Sequence, residues 1–303
     1  MKFAGNEDKR NGTIDLEYVV PKNQRKVVAD VSVGGVSVLC ISCDVSRSLD
    51  ISGSSQKTSQ PSVSTKKKPE KQNTAQSAKE LYNQGVKLFD SGKKKEGNEL
   101  IIKAADMGDD EAQCVVGILL YMHGEQSGEV SSYKNAAAYL QKSANQGNAE
   151  AEYRLGMLYF DGKGVSVDNA KALRLFESAA EKKQPQAQMM AGLMYYVGKG
   201  VKVDYKKAVY YLTQSAEAGD DDAQFLLTRA YATGNGVKQD MTKAFEWCEK
   251  SAKQGNSDAQ YILGSMYESG SGVKKDIKMA RYWYEKAAAQ GDEDAKESLK
   301  ALR

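Results

Sequence analysis

Residues 151–172 read AEYRLGMLYFDGKGVSVDNAKA, and the same arrangement returns from Ala187, Ala223 and Ala259, every 36 residues. The central loop is Gly162-Lys163-Gly164-Val165, then Gly198-Lys199-Gly200-Val201, Gly234-Asn235-Gly236-Val237 and Gly270-Ser271-Gly272-Val273. Three residues beyond each valine stands Asp168, Asp204, Asp240 or Asp276, and four beyond that stands Ala172, Ala208, Ala244 or Ala280. Columns agreeing at one fixed period mark a repeat architecture.

Each column has a physical reason. Ala151, Leu155, Gly156 and Tyr159 fall on one helical stripe. Gly156, Gly192 and Gly264 lie mid-helix, where glycine costs about 1 kcal/mol against alanine, so a neighbouring helix is expected to approach closely there. The Gly-x-Gly pair ends the helix in the left-handed conformation. The aspartate is placed to cap a second helix, which carries Ala172, Leu175, Phe176, Ala179 and Ala180. That helix ends at Gly147, Gly219, Gly255 or Gly291 in successive units. Lys183 interrupts this glycine column, although Pro185 suits the first turn of the next helix. The unit is an antiparallel helix pair.

The pattern Ala-x-x-x-Leu-Gly-x-x-Tyr-x-x-Gly-x-Gly-Val-x-x-Asp-x-x-Lys-Ala resembles the Sel-1-like repeat family, relatives of tetratricopeptide repeats. Thr228 departs from it by replacing the mid-helix glycine. The unit from Ala112 keeps Gly117 and Tyr121 but adds three residues before Gly128, and 78–108 reads as a shortened unit with Gly85, Phe89 and Gly92. The resemblance implies an all-α, right-handed superhelix whose first helices line a concave face, with about six units and a capping helix over 77–303. It also implies adaptor roles for a protein or peptide partner, with no cofactor. Some secreted bacterial members carry a disulfide in every repeat. This chain lacks those cysteines, departing from that branch and from the penicillin-binding, cell-wall activity suggested for it.

If the first helices line a groove, one stripe is the candidate contact surface: Tyr153, Met157 and Phe160, then Met189, Leu193 and Tyr196, then Phe225, Arg229 and Tyr261. Such a surface suits an extended peptide or an amphipathic helix. Packing between repeats is the competing reading for Tyr153, Phe225 and Tyr261. Met189, Tyr196 and Arg229 depart from their columns and are the better contact candidates.

Composition points away from catalysis and from nucleic acid. The chain has one histidine, His123, so no multi-histidine metal site can form, and its place at a helix end suggests a capping or surface role. The cap aspartates are dispersed one per repeat, unlike a paired-carboxylate site. The Gly-x-Gly-Val loops follow helices, whereas nucleotide-binding glycine loops follow strands. Net charge is +3, and residues 1–76 hold 12 Lys/Arg against 8 Asp/Glu, which leaves no basic excess for the repeats. Cys114, Cys248 and the lone pair Cys40 and Cys43 match neither a disulfide framework nor a complete zinc site. Nothing in the sequence calls for more than a monomer.

The first 45 residues and the Ser/Thr/Lys-rich stretch 46–76, read as a flexible linker, stand apart. Residues 13–20 alternate like a strand, and Lys26 to Val33 and Val36 to Cys43 flank a Gly34-Gly35 turn, which favours a small hairpin. A rival reading takes residues 27–43 as an export signal with Cys43 as a lipid-attachment site. As written the chain is expected to be cytoplasmic; under the rival reading it is a tethered envelope protein. Lys66-Lys67-Lys68 reads as solvated linker charge, with contact to an anionic surface as the alternative.

Overall fold

The computed structural model describes residues 70–302 and four short N-terminal strands: β1 (Lys26–Val27), β2 (Val31–Val33), β3 (Val36–Val38) and β4 (Cys43–Asp44). β2 pairs antiparallel with β3, Val33 opposite Val36, and β1 pairs antiparallel with β4. Residues 13–20 and Lys66-Lys67-Lys68 lie outside the described residues, as does most of the stretch with the rival export reading. From residue 70 onward every element is a helix, in keeping with an all-α solenoid. The chain divides into two compact units, Met1–Ala151 and Glu152–Arg303.

In the first unit, α1 (Glu70–Asp90) begins inside the stretch read as linker. It packs on α2 (Lys94–Asp106) with almost no side chain between the backbones. A Cβ added to Gly85 would stand 2.8 Å from the Gly97 carbonyl oxygen, and one on Gly97 would stand 2.6 Å from that of Gly85. Phe89, Ile101, Ala104, Ala105, Ala112, Val116 and Leu119 form the core that joins this pair to α3 (Asp110–Ser127). The three additional residues expected in a loop instead lengthen α3. Gly124-Glu125-Gln126-Ser127 lacks an early helix-stopping Gly-x-Gly, so the helix continues until Gly128 turns left-handed at φ 70°. α4 (Val130–Ala144) then packs back on α3, and Ser143 Oγ donates to the Asp110 carbonyl at 2.7 Å.

The second unit is more regular. Its pairs are α5 (Ala149–Asp161) with α6 (Asn169–Glu181), α7 (Pro185–Val197) with α8 (Tyr205–Glu217), α9 (Asp221–Thr233) with α10 (Met241–Gln254), and α11 (Ser257–Ser269) with α12 (Ile277–Ala289). α13 (Glu293–Ala301) packs on α12, adding Leu299 and Leu302 to its core. Asp168, Asp204 and Asp240 accept from the backbone N–H three residues on, and Asp276 from those of Lys278 and Met279. Backbone N–H groups of the same four aspartates donate to the carbonyls of Tyr159, Tyr195, Tyr231 and Tyr267, tying each loop to the helix it leaves.

The mid-helix glycines face large side chains. A Cβ on Gly156, Gly192 or Gly264 would lie 2.6, 2.7 or 2.6 Å from Phe176, Leu212 or Tyr284 respectively. Where Thr228 replaces the glycine, the position equivalent to those three residues holds Cys248, fully buried, and Thr228 Oγ1 donates to the Gln224 carbonyl at 3.0 Å. Lys183 takes φ 65°, close to the left-handed conformation of its glycine counterparts, and among the described residues it is the one non-glycine with positive φ.

A buried glutamine links successive pairs. Gln188, Gln224 and Gln260 donate to the carbonyls of Ala180, Ala216 and Ala252 in the preceding second helix, at 3.3, 3.0 and 3.1 Å. Gln224 and Gln260 also accept from Gln254 and Gln290, both at 2.9 Å. In the α5–α6 pair an ionic version replaces the amides. The buried Glu152 carboxylate receives Lys182 Nζ at 2.6 Å on both oxygens and Ser178 Oγ at 2.8 Å. A buried carboxylate needs such partners, because an uncompensated charge in the interior is strongly unfavourable.

Candidate partner-binding face

The first helices of the second unit position the nine residues singled out above, and these separate into two groups. Tyr153 and Phe160 both lean on Phe176, with ring centroids 5.9 and 6.5 Å away, and Lys199 Nζ sits 3.4 Å from the Phe160 centroid. Phe225 packs against the α10 cluster around Ala244 and Cys248. Tyr261 meets Tyr284 at 5.7 Å, and Tyr196 meets Tyr205 edge-on at 5.3 Å. These five aromatic rings have partners within the fold, which is the packing alternative. Met157, Met189 and Leu193 are half-buried and Arg229 is exposed.

Asp161, Val197, Thr233 and Ser269, one residue beyond Phe160, Tyr196, Ala232 and Glu268, are the open positions at the ends of these helices. The sequence reading passed over them. Their spacing of seven residues from Arg154 and four from Met157 was available, but periodicity gives angles between positions on a helix without fixing which of them turn toward the second helix. The open stripe is therefore Arg229 with Asp161, Val197, Thr233 and Ser269, continued by the half-buried Met157, Leu193 and Ser265. It is mixed in polarity, less aromatic than the stripe expected.

Several polar groups are committed to structure. Tyr195 donates to Glu177 Oε1 at 2.6 Å, accepts from Lys207 Nζ at 2.9 Å and stacks on Tyr211. Burial, with Glu177 beside it, raises the Tyr195 phenol above its ordinary value, and burial pushes Tyr211 up to about 12. Of the capping and surface roles expected for His123, the surface one does not hold: the ring is buried, with Nδ1 2.8 Å from Ser132 Oγ at the start of α4. Glu129 approaches that same nitrogen at 4.0 Å. A serine–histidine–carboxylate relay needs the serine and the carboxylate on opposite ring nitrogens, so this is a helix-joining contact. Cys114 and Cys248 are both buried, and burial pushes the Cys248 thiol up to about 12. Among the described residues no group of three or more His, Cys, Asp or Glu side chains is placed to hold a metal ion, and no helix is long and apolar enough to cross a membrane.

The family model of the Sel1 repeat matches residues 110–148, 149–183, 185–220, 221–256 and 257–292. Two solved structures are similar. One, described as a protective antigen of uropathogenic Escherichia coli with an SLR fold, is 30% identical with a TM-score of 0.66, covering 77% of this chain and 50% of its own. The other, a Sel1 repeat protein from Oxalobacter formigenes, is 28% identical with a TM-score of 0.63, covering 73% of this chain and 87% of its own. This chain thus spans about half the length of the first. No curated protein matches it.

Proposed function

Because the chain belongs to the Sel1 repeat family, we propose that it is a non-catalytic interaction scaffold holding a protein or peptide segment against the first helices of its second unit. The observation that carries this reading is the open stripe. Its side chains recur at a regular step, while the neighbouring aromatic rings are occupied in packing within the helix pairs. Met157 and Leu193 offer apolar contact near α5 and α7, and Arg229 offers a charge-assisted hydrogen bond on α9. A repeating face of this kind suits an extended segment that engages several repeats at once.

Affinity purification with mass spectrometry, run in parallel on the wild type and on Leu193→Ser/Arg229→Glu, tests this. Partners retained by the wild type and lost by the variant, at an unchanged melting temperature, are the expected result. Partners retained equally by both would place binding elsewhere on the molecule.

A further inference from the structure

The antiparallel pairs of the second unit put all long loops on one edge and all short turns on the opposite edge, and the two edges carry opposite charge. The long-loop segments 161–171, 197–207, 233–243 and 269–279 hold eleven Lys against five Asp. Four of those aspartates already serve as helix caps. The short-turn segments 181–187, 217–223, 253–259 and 289–295 hold nine Asp/Glu against three Lys. The second unit is thus polarised from one edge to the other, a separation invisible in the total charge.

Charge is also distributed along each edge in the same way. The basic edge peaks at 197–207, with four Lys, and at 269–279, with three. The acidic edge peaks at 217–223, with four Asp/Glu, and at 289–295, with three. Both pairs of peaks are two repeats apart. Set side by side, the basic edge of one copy meets the acidic edge of another with its strong and weak positions in step. Val167, Val203, Tyr205 and Ile277 are exposed on the basic edge, supplying apolar area between the lysines.

We propose that this long-loop edge docks a second copy of the chain through the copy's short-turn edge. The contact joins two different surfaces, so it propagates into short head-to-tail arrays instead of closing as a symmetric dimer. It is separate from the first-helix stripe and stands or falls independently of the scaffold reading. Its attraction is electrostatic between exposed groups, so it weakens as salt rises.

Sedimentation velocity on the full chain tests the proposal. Association should grow with protein concentration at about 20 mM salt and disappear at about 300 mM, as the screening length falls from roughly 20 Å to roughly 6 Å. Lys202→Glu/Lys206→Glu/Lys274→Glu/Lys275→Glu should weaken association about tenfold or more, and so should Asp222→Lys/Glu293→Lys/Asp294→Lys. An equimolar mixture of the two variants should associate again, because each supplies the charge the other has lost. Circular dichroism melts of each variant report separately on whether it remains folded. A wild type that sediments as one species at every concentration and salt overturns the proposal. So does association that survives reversal of the basic edge, or folded variants that fail to associate when mixed.

Discussion

The repeats over 185–220 and 221–256 solve one packing problem in opposite ways. In the former, Gly192 leaves room on α7 and Leu212 on α8 fills it, with a Cβ–Cγ separation of only 2.7 Å were the glycine an alanine. In the latter the bulk has moved across the interface: Thr228 stands on α9 and Cys248 takes the place of the large residue. The helix-pair geometry depends on the summed volume at this crossing, which either helix can supply. One change alone would leave a clash or a void, so the two departures belong together.

This comparison can be broken most forcefully by Leu212→Ala, expected to cost about 2–5 kcal/mol by opening a cavity beside a glycine that cannot fill it. Thermal or urea unfolding measures it. Next comes Gly192→Ala. It gains about 1 kcal/mol in helix propensity but forces the added methyl into Leu212 at about 1–3 kcal/mol, for a net cost of up to about 2 kcal/mol. Pairing it with Leu212→Cys, in imitation of the 221–256 repeat, should recover part of that loss, and strict additivity in the double-mutant cycle would contradict the volume argument.

Asp204→Ala and Asp240→Ala sharpen the comparison from the other side. Each should cost about 1 kcal/mol by removing a cap, equally in both repeats, since the cap is indifferent to how the crossing is filled. Unequal melting-temperature shifts would show the two features to be coupled. Smallest at neutral pH is Cys248→Ala. Its distinguishing mark is alkaline: burial pushes the folded thiol from an ordinary 9.0 up to about 12, so the neutral form's contribution is whole below the lower value and is lost as pH rises toward the upper. The stability of the wild type should therefore fall more steeply than that of the variant over this interval.

What the sequence made legible were features whose chemistry is local. Asp204 accepts from a backbone N–H three residues away, and Gly198 needs only its own positive φ, so both are written in neighbouring positions. The close approach at Gly156, Gly192 and Gly264 was readable too, because a mid-helix glycine is unfavourable unless something lies against it. Its partners Phe176, Leu212 and Tyr284 stand on the following helix and required the fold to identify. The candidate face was only partly readable. Tyr153, Phe225 and Tyr261 share the angular spacing of a contact stripe, yet the second helix covers that side and leaves Val197 and Thr233 open instead. The end of α3 was misjudged because helix-forming Glu125 and Gln126 sit where later repeats have Gly-x-Gly.

The glutamine bridges have a consequence for how such a chain changes length. Gln188, Gln224 and Gln260 each reach back to an alanine carbonyl at the same place in the preceding pair, so the junctions they make are interchangeable. Excising or duplicating one whole repeat, from one of these glutamines to the next, would bring together ends that already fit. The molecule can therefore lengthen or shorten in units of 36 residues without any new contact having to be invented.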